Sequence, residues 1–267
     1  MGLVTSSLVV EIGDYPVRLS AADPHLLGSV RERYTGFVTE TPSATPFNLT
    51  LQVVPNRISN TEAVHVTCSD GCWRFERDMF HAEWFPETGC GSVLQVGAYA
   101  TSIDSVLRIL HTLLLAPRGG FLLHAASAVR NGSAFVFSGV SGIGKTTISR
   151  LAPPDVTLLT DEMSYIRPRG DGYQAFGTPF AGDLGRNGAN ISAPLKEIHM
   201  LARGSRNKRE LLPPSKAAAA LLRNVLFFAV DPEYVRMVFE AACQVASSIP
   251  VYRLTFLPTA EVWEMIS

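Results

Sequence analysis

Apolar and polar residues alternate through much of the first hundred positions. A period of two sends successive side chains to opposite faces of an extended chain, so each such run predicts a half-buried strand. Residues 7–12 and 15–19 form two runs around Gly13-Asp14, a pair suited to a tight hairpin turn. Further runs cover residues 47–54, 63–68, 73–76, 81–85 and 92–98, separated by Pro, Asn or Gly. Residues 22–34 predict a helix, with Ser20 or Asp23 near its start. Across residues 102–116 the spacing becomes helical, with Val106, Ile109, Leu110, Leu113 and Leu114 on one face, and Pro117-Arg118-Gly119-Gly120 ends the run. The pattern predicts a small strand-rich α+β domain over residues 1–118 and a second domain over residues 119–267.

The second domain has a different texture. Residues 121–129 and 134–138 are apolar strands joined through Asn131-Gly132, a strong signal for a two-residue hairpin turn. A Gly-rich loop, a helix starting near Lys145 and an apolar strand over residues 156–160 follow. Strand, Gly-rich loop, helix and strand in that order make an α/β nucleotide-binding layout.

The loop Gly139-Val140-Ser141-Gly142-Ile143-Gly144-Lys145-Thr146 fits G-x-x-x-x-G-K-[ST] at every fixed position. Glycines let backbone N–H groups approach phosphate oxygens without a Cβ clash. Lys145 can reach the β- and γ-phosphates, and the Thr146 hydroxyl can hold Mg²⁺. Gly139, Ser141, Gly142, Ile143, Gly144, Lys145, Thr146 and Thr147 are therefore the expected nucleotide-binding residues. Asp161-Glu162 follows the next strand, where a phosphate site needs a carboxylate for metal. Two adjacent acids can divide the work, one facing metal and one facing an attacking hydroxyl.

His124 interrupts an otherwise apolar strand. With Asn131 and Gly132 at the centre of the turn, residue 130 faces 133, and counting back along the ladder sets His124 opposite Gly139. The histidine is thus expected at the mouth of the phosphate loop, where it can bond a neighbouring carboxylate or a transferring phosphoryl group.

Composition bounds these readings. Of 267 residues, 46% are apolar and 18% charged, with a net charge of −1. That excludes a disordered, collagen-like or disulfide-scaffold chain and disfavours a nucleic-acid binder. Residues 1–118 carry eight Lys and Arg against twelve Asp and Glu, and residues 119–267 carry fifteen against twelve, so the mildly basic half holds the phosphate loop. Cys68 and Cys72 flank Ser-Asp-Gly without a second pair to complete a zinc site, which predicts a turn between strands. Met1-Gly2 and Ser6 match a myristoylation pattern, but the following residues read as a strand. Without a secretory leader or a 20-residue apolar run, the expectation is a cytoplasmic chain that does not engage a membrane.

His124, the hairpin, the Gly139–Thr146 loop and Asp161-Glu162 together resemble the HPr kinase/phosphorylase family. The resemblance covers about residues 120–200 and extends loosely through Gly177-Thr178-Pro179-Phe180, Ala193-Pro194-Leu195 and Ile249-Pro250-Val251-Tyr252-Arg253-Leu254. It implies a P-loop kinase core shared with ATP-type phosphoenolpyruvate carboxykinase, using ATP and Mg²⁺. By the same resemblance Lys145 binds phosphates, Thr146 and Asp161 hold metal, Glu162 is the general base for a serine hydroxyl, and His124 steadies Glu162. Glu162 replaces the family's aspartate, and the family's Glu-Ile-Arg-Gly signature is missing, which points away from HPr itself as substrate. The stretch Gly177–Asn190 reads as an active-site loop, with Asp183, Arg186, Asn187 and Asn190 as further contacts to substrate or phosphate. The expected activity is transfer of the γ-phosphoryl group of ATP to a hydroxyl, foremost a serine of a protein or peptide, in a chain that could form homo-oligomers. A small-molecule kinase and a nucleotide-binding regulator are the alternatives.

Overall fold

The computed structural model describes residues 5–56, 58 and 62–266. The Met1-Gly2 end of the myristoylation pattern lies outside the described residues. The chain divides into two compact units, Met1–His111 with Phe228–Val235, and Thr112–Phe227 with Arg236–Ser267.

The first unit opens with the hairpin of β1 (Ser6–Ile12) and β2 (Tyr15–Ala21), whose turn residues Gly13 and Asp14 both have φ of 60°. Helix α1 (Pro24–Arg33) follows; Asp23 caps it by accepting from the His25 N–H, and Pro24 begins it. The short β3 (Val38–Thr39) and long β4 (Phe47–Val54) precede a meander of β5 (His65–Ser69), β6 (Cys72–Arg77), β7 (Phe80–Phe85) and β8 (Cys90–Val96). Among the described residues these form a sheet in the order β3-β1-β2-β4-β8-β7-β6-β5. Asp70 and Gly71 make the turn between Cys68 and Cys72, with φ of 53° and 71°. Helix α2 (Thr101–Leu115) crosses the division between the units at residue 111.

Residues 228–235 group with the first unit, so that unit is not one continuous stretch ending at residue 118. The Tyr234 ring meets the Trp73 ring edge-on at 4.9 Å. A non-local contact of this kind leaves no periodic signal in the sequence.

The second unit contains β9 (Phe121–Arg130), β10 (Ser133–Ser138), α3 (Lys145–Arg150), β11 (Thr157–Thr160), β12 (Met163–Arg169), β13 (Gly172–Phe176), β14 (Ser192–Ala202), β15 (Lys208–Leu211), α4 (Pro214–Leu222), β16 (Val225–Leu226), α5 (Pro232–Ser248, whose first residues belong to the other unit) and β17 (Val251–Thr255). Antiparallel pairings run from β10 through β9, β12 and β13 to β14, and β14 returns to pair with β10 in parallel, closing a ring. Beyond the ring, β17 continues parallel to β14, and β15 lies antiparallel to β17.

Strand β10 is apolar on both faces because both are covered. Ala134 and Val136 belong to a cluster with Leu123, Ile198, Leu221 and Val245; Phe135 and Phe137 join Ile148, Leu254 and Trp263 on the other side. Six residues are too few for a helix to hold itself in water, and α3 is anchored from outside. Ile148 is fully buried, and Trp263 Nε1 donates to the Ile148 carbonyl at 3.1 Å. No helix among the described residues is long and apolar enough to cross a membrane.

Candidate active site

Asn131 and Gly132 adopt φ of 50° and 75°, the conformation of a tight hairpin turn. The β9–β10 ladder runs in the predicted register from Arg130↔Ser133 to Ala125↔Ser138. His124 therefore stands one residue beyond the ladder, beside the start of the Gly-rich loop. Three backbone contacts hold it: its N–H donates to Asn224 O at 2.8 Å, its carbonyl accepts from Ser138 Oγ at 3.0 Å, and it pairs with Met163 of β12.

The neighbouring Glu162 is fixed in turn. Thr160 Oγ1 accepts from the N–H groups of Glu162 and Met163 at 3.2 Å, bending the chain after β11. Glu162 O accepts from the Ala125 N–H at 3.0 Å. His124 Nε2 then lies 3.6 Å from Glu162 Oε1, with both side chains about 30% exposed. That is the distance of an ion pair when the imidazole is protonated.

The loop has Gly139, Gly142 and Gly144 at φ of 153°, 71° and 124°, values that disfavour side-chain-bearing residues. Lys145 is buried, and its Nζ donates to Gly139 O at 3.0 Å and Val140 O at 3.3 Å. Burial lowers its pKa from the ordinary lysine value, and the Glu162 and Asp183 carboxylates partly oppose that shift. A cleft of about 420 Å³ opens here. Of the expected residues, His124, Ser141, Gly142, Gly144, Lys145, Thr146, Thr147, Glu162 and Asp183 line it, joined by Arg150.

The expected pairing of Thr146 with Asp161 as metal ligands needs correction. Asp161 is 4% exposed; its Oδ1 accepts from the Gly182 N–H at 2.9 Å and its Oδ2 from the Leu184 N–H at 2.8 Å. It is outside the lining of the cleft. At the bend that Thr160 makes after β11, Glu162 lines the cleft, whereas the Asp161 carboxylate is taken up by the backbone of the loop at Gly182 and Leu184. The carboxylate beside Thr146 is Asp183, whose Oδ2 accepts from the Thr146 hydroxyl at 3.3 Å. Gly182 packs so tightly on the two acids that a Cβ there would lie 2.8 Å from Glu162 Oε2 and 3.1 Å from Asp161 Oδ2.

Arg186 and Asn187 also depart from expectation. Both line a small hollow with Asp161 and Leu184, separate from the phosphate cleft. The loop turns back after residue 184: the Gly188 N–H donates to Thr178 O at 3.1 Å and the Ala189 N–H to Leu158 O at 3.0 Å. Asn190 lies farther along that returning arm and lines neither cavity. Gly139 meets the site through its carbonyl on Lys145, and Ile143 faces a neighbouring hollow. Arg150 went unread because a lone arginine at the end of a short helix carries no motif.

The family model for SynChlorMet cassette protein ScmC matches residues 99–267, which include the whole cleft. The chain belongs to the ScmC family. No curated protein matches it. A solved structure, the Hpr(Ser) kinase/phosphatase from Coxiella burnetii, aligns with this ScmC-family chain at 10% identity, over 47% of this chain and 92% of that one. The TM-score is 0.27, too low to bear on fold or activity.

A divalent cation of the Mg²⁺ kind prefers oxygen ligands and commonly takes one or two from the protein, the rest from phosphates and water. The Thr146 hydroxyl and the Asp183 carboxylate fit that requirement, being in contact and facing a polar cleft.

Proposed function

We propose that this protein is an ATP-dependent kinase, built on a P-loop core of the HPr kinase kind, that transfers the γ-phosphoryl group to a hydroxyl, foremost a serine of a protein or peptide. One observation carries the reading: a single cleft holds the phosphate-loop Lys145 and Thr146, the acid Asp183, and the His124–Glu162 pair. A site that only binds nucleotide has no need of a carboxylate held by a histidine opposite the loop.

Phosphoryl transfer asks for positioning and charge neutralisation more than covalent chemistry. The loop N–H groups and Lys145 bind and orient the phosphates, and Arg150 adds positive charge at the rim. Thr146 and Asp183 hold Mg²⁺, which when bound supplies neutralising charge. The acceptor oxygen attacks the γ-phosphorus and the bond to the β–γ bridging oxygen breaks, leaving ADP. The hydroxyl proton passes to the Glu162 carboxylate, whose orientation His124 maintains. Glutamate reaches one methylene farther than aspartate, which sets the acceptor hydroxyl that much farther from the backbone. The serine preference rests on the family resemblance of residues 120–200.

The test is transfer from γ-labelled ATP with Mg²⁺ into a lysate of the source organism, resolving proteins and small molecules. A labelled product should form with wild type and be lost in Lys145→Met. Glu162→Gln should keep ATP binding and lower transfer by about 10²–10⁴-fold. ATP binding without any labelled product, unchanged by Glu162→Gln, would replace the kinase with a nucleotide-binding regulator.

A further inference from the structure

A second hollow of about 170 Å³ adjoins the phosphate cleft, and Gly142, Gly144 and Thr147 line both. Its remaining walls include Arg203, Phe256 and Pro258. We infer that this hollow seats the base of the nucleotide, with the Phe256 ring as its stacking surface and the Arg203 guanidinium at its edge. The inference rests on the polyphosphate reading of the neighbouring cleft and adds where the rest of that ligand lies.

Topology supports it first. Strands β10, β14 and β17 are parallel neighbours, in register at Ser138↔Met200 and at Ala202↔Thr255. Gly139, Arg203 and Phe256 are thus the residues that leave, or nearly leave, the carboxyl ends of three adjacent strands. In parallel α/β sheets that end is where ligands bind. The phosphate loop occupies one of the three ends, and the hollow lies beyond the other two.

Chemistry supports it second. The cleft at Lys145 and Thr146 is polar, whereas this hollow is walled by an aromatic ring and a proline. A phosphate gains nothing from such walls. A flat heterocycle gains from stacking on the ring and from a planar guanidinium alongside. Joined through Gly142, Gly144 and Thr147, the two cavities match the charged and the flat halves of one purine nucleoside triphosphate.

The hollow is also built to hold its shape. Asn207 Oδ1 accepts from the Leu257 N–H at 2.7 Å, tying the Phe256–Pro258 segment to the turn before β15. Gly204 approaches Thr255 so closely that a Cβ would stand 2.2 Å from its Cγ2. Arg203 Nη2 donates to Gly142 O at 3.3 Å. The Phe256 ring edge rests on Gly144, where a Cβ would come within 2.9 Å of Cζ.

Phe256 also packs on the apolar cluster containing Ile148 and Trp263, so the test must separate stacking from support of the loop. Titration calorimetry on the full chain with Mg²⁺ compares ATP with inorganic tripolyphosphate, which has the charge and lacks the base. Phe256→Leu keeps an apolar contact with Gly144 and removes the π-face. It should weaken ATP by about tenfold or more and leave tripolyphosphate within about twofold, while Phe256→Tyr retains ATP affinity. Equal losses for both ligands, or no loss for either, would overturn the assignment of the base while leaving the phosphate cleft standing. A wild-type chain that binds neither ligand would overturn both readings at once.

Discussion

Asp161→Asn and Asp183→Asn should separate cleanly, although the two carboxylates belong to the same few ångströms of structure. Asp161 is buried and accepts two backbone N–H groups from one loop, at 2.9 and 2.8 Å. Asparagine preserves its shape but turns one acceptor into a donor, which then faces the N–H of Gly182 or Leu184. A hydrogen bond to a charged group contributes about 1.5–3 kcal/mol, and a stranded donor adds its own desolvation penalty. Asp161→Asn should therefore destabilise the unit by about 2–4 kcal/mol, a fall in Tm of roughly 5–15 °C. Asp183 accepts a single, longer hydroxyl bond on the rim of the cleft, so Asp183→Asn should shift stability by no more than about 0.5 kcal/mol. Its effect should appear in the Mg²⁺ dependence of ATP binding, which is lost with the carboxylate. Urea unfolding and calorimetry of ATP with and without Mg²⁺ read both outcomes. If Asp161→Asn left the unfolding midpoint in place and abolished the Mg²⁺ dependence, while Asp183→Asn did neither, the roles drawn from the geometry would be reversed.

Gly182→Ala places a methyl 2.8 Å from Glu162 Oε2 and 3.0 Å from its Cβ; it should push the carboxylate off His124 and lower transfer at least tenfold, while ATP affinity stays within about threefold. His111 is fully buried, and burial lowers its pKa to about 3. Below pH 6.5 the unfolded chain takes up a proton that the folded chain refuses, so stability falls by about 1.4 kcal/mol per pH unit, some 3 kcal/mol by pH 4.5; urea unfolding of His111→Gln should lack that part of the slope, and parallel slopes for both chains would refute it. Trp263→Phe keeps the ring in its cluster and removes the bond to Ile148 O; a loss of about 1 kcal/mol is expected by urea unfolding.

What the sequence made legible was local. Asn131-Gly132 is a two-residue turn, and a two-residue turn sets the register of everything that follows it. That is why one histidine, fifteen residues before Gly139, could be set beside it from sequence alone. The Gly-rich loop was legible because its glycines and lysine have a fixed spacing imposed by phosphate. Contacts made by chain return were not legible. The parallel pairing of β10 with β14 joins residues about sixty positions apart, and Arg203 and Phe256 line one hollow only because two strand ends coincide. The loop of residues 177–191 has no periodicity to read. Its composition marked it as a contact region, but where it reverses decides which of its residues reach the cleft. The reversal after Leu184 puts Asp183 on one side and Arg186 and Asn187 on the other.

The adjacent acids Asp161 and Glu162 show why the site needs a third carboxylate. At the bend after β11 only one of the two consecutive acids lines the cleft, because the buried Asp161 carboxylate is occupied by two backbone N–H groups. Glu162 takes that place, opposite His124. The other acid is buried and serves a loop distant in sequence, and the two N–H groups it receives belong to Gly182 and Leu184. The residue between those two is Asp183. Gripping the backbone on either side of Asp183 leaves its side chain directed to the front, within 3.3 Å of Thr146. The buried acid thus acts through the loop it holds, and the metal-binding role inferred for it from its neighbourhood passes to a residue twenty-two positions later. On this argument the spacing from Asp161 to Asp183 matters less than the two N–H bonds. A one-residue insertion in the exposed β12–β13 turn at Gly170-Asp171 should therefore be tolerated better than Leu184→Pro, which removes one of the two donors and should abolish the Mg²⁺ dependence of ATP binding along with stability.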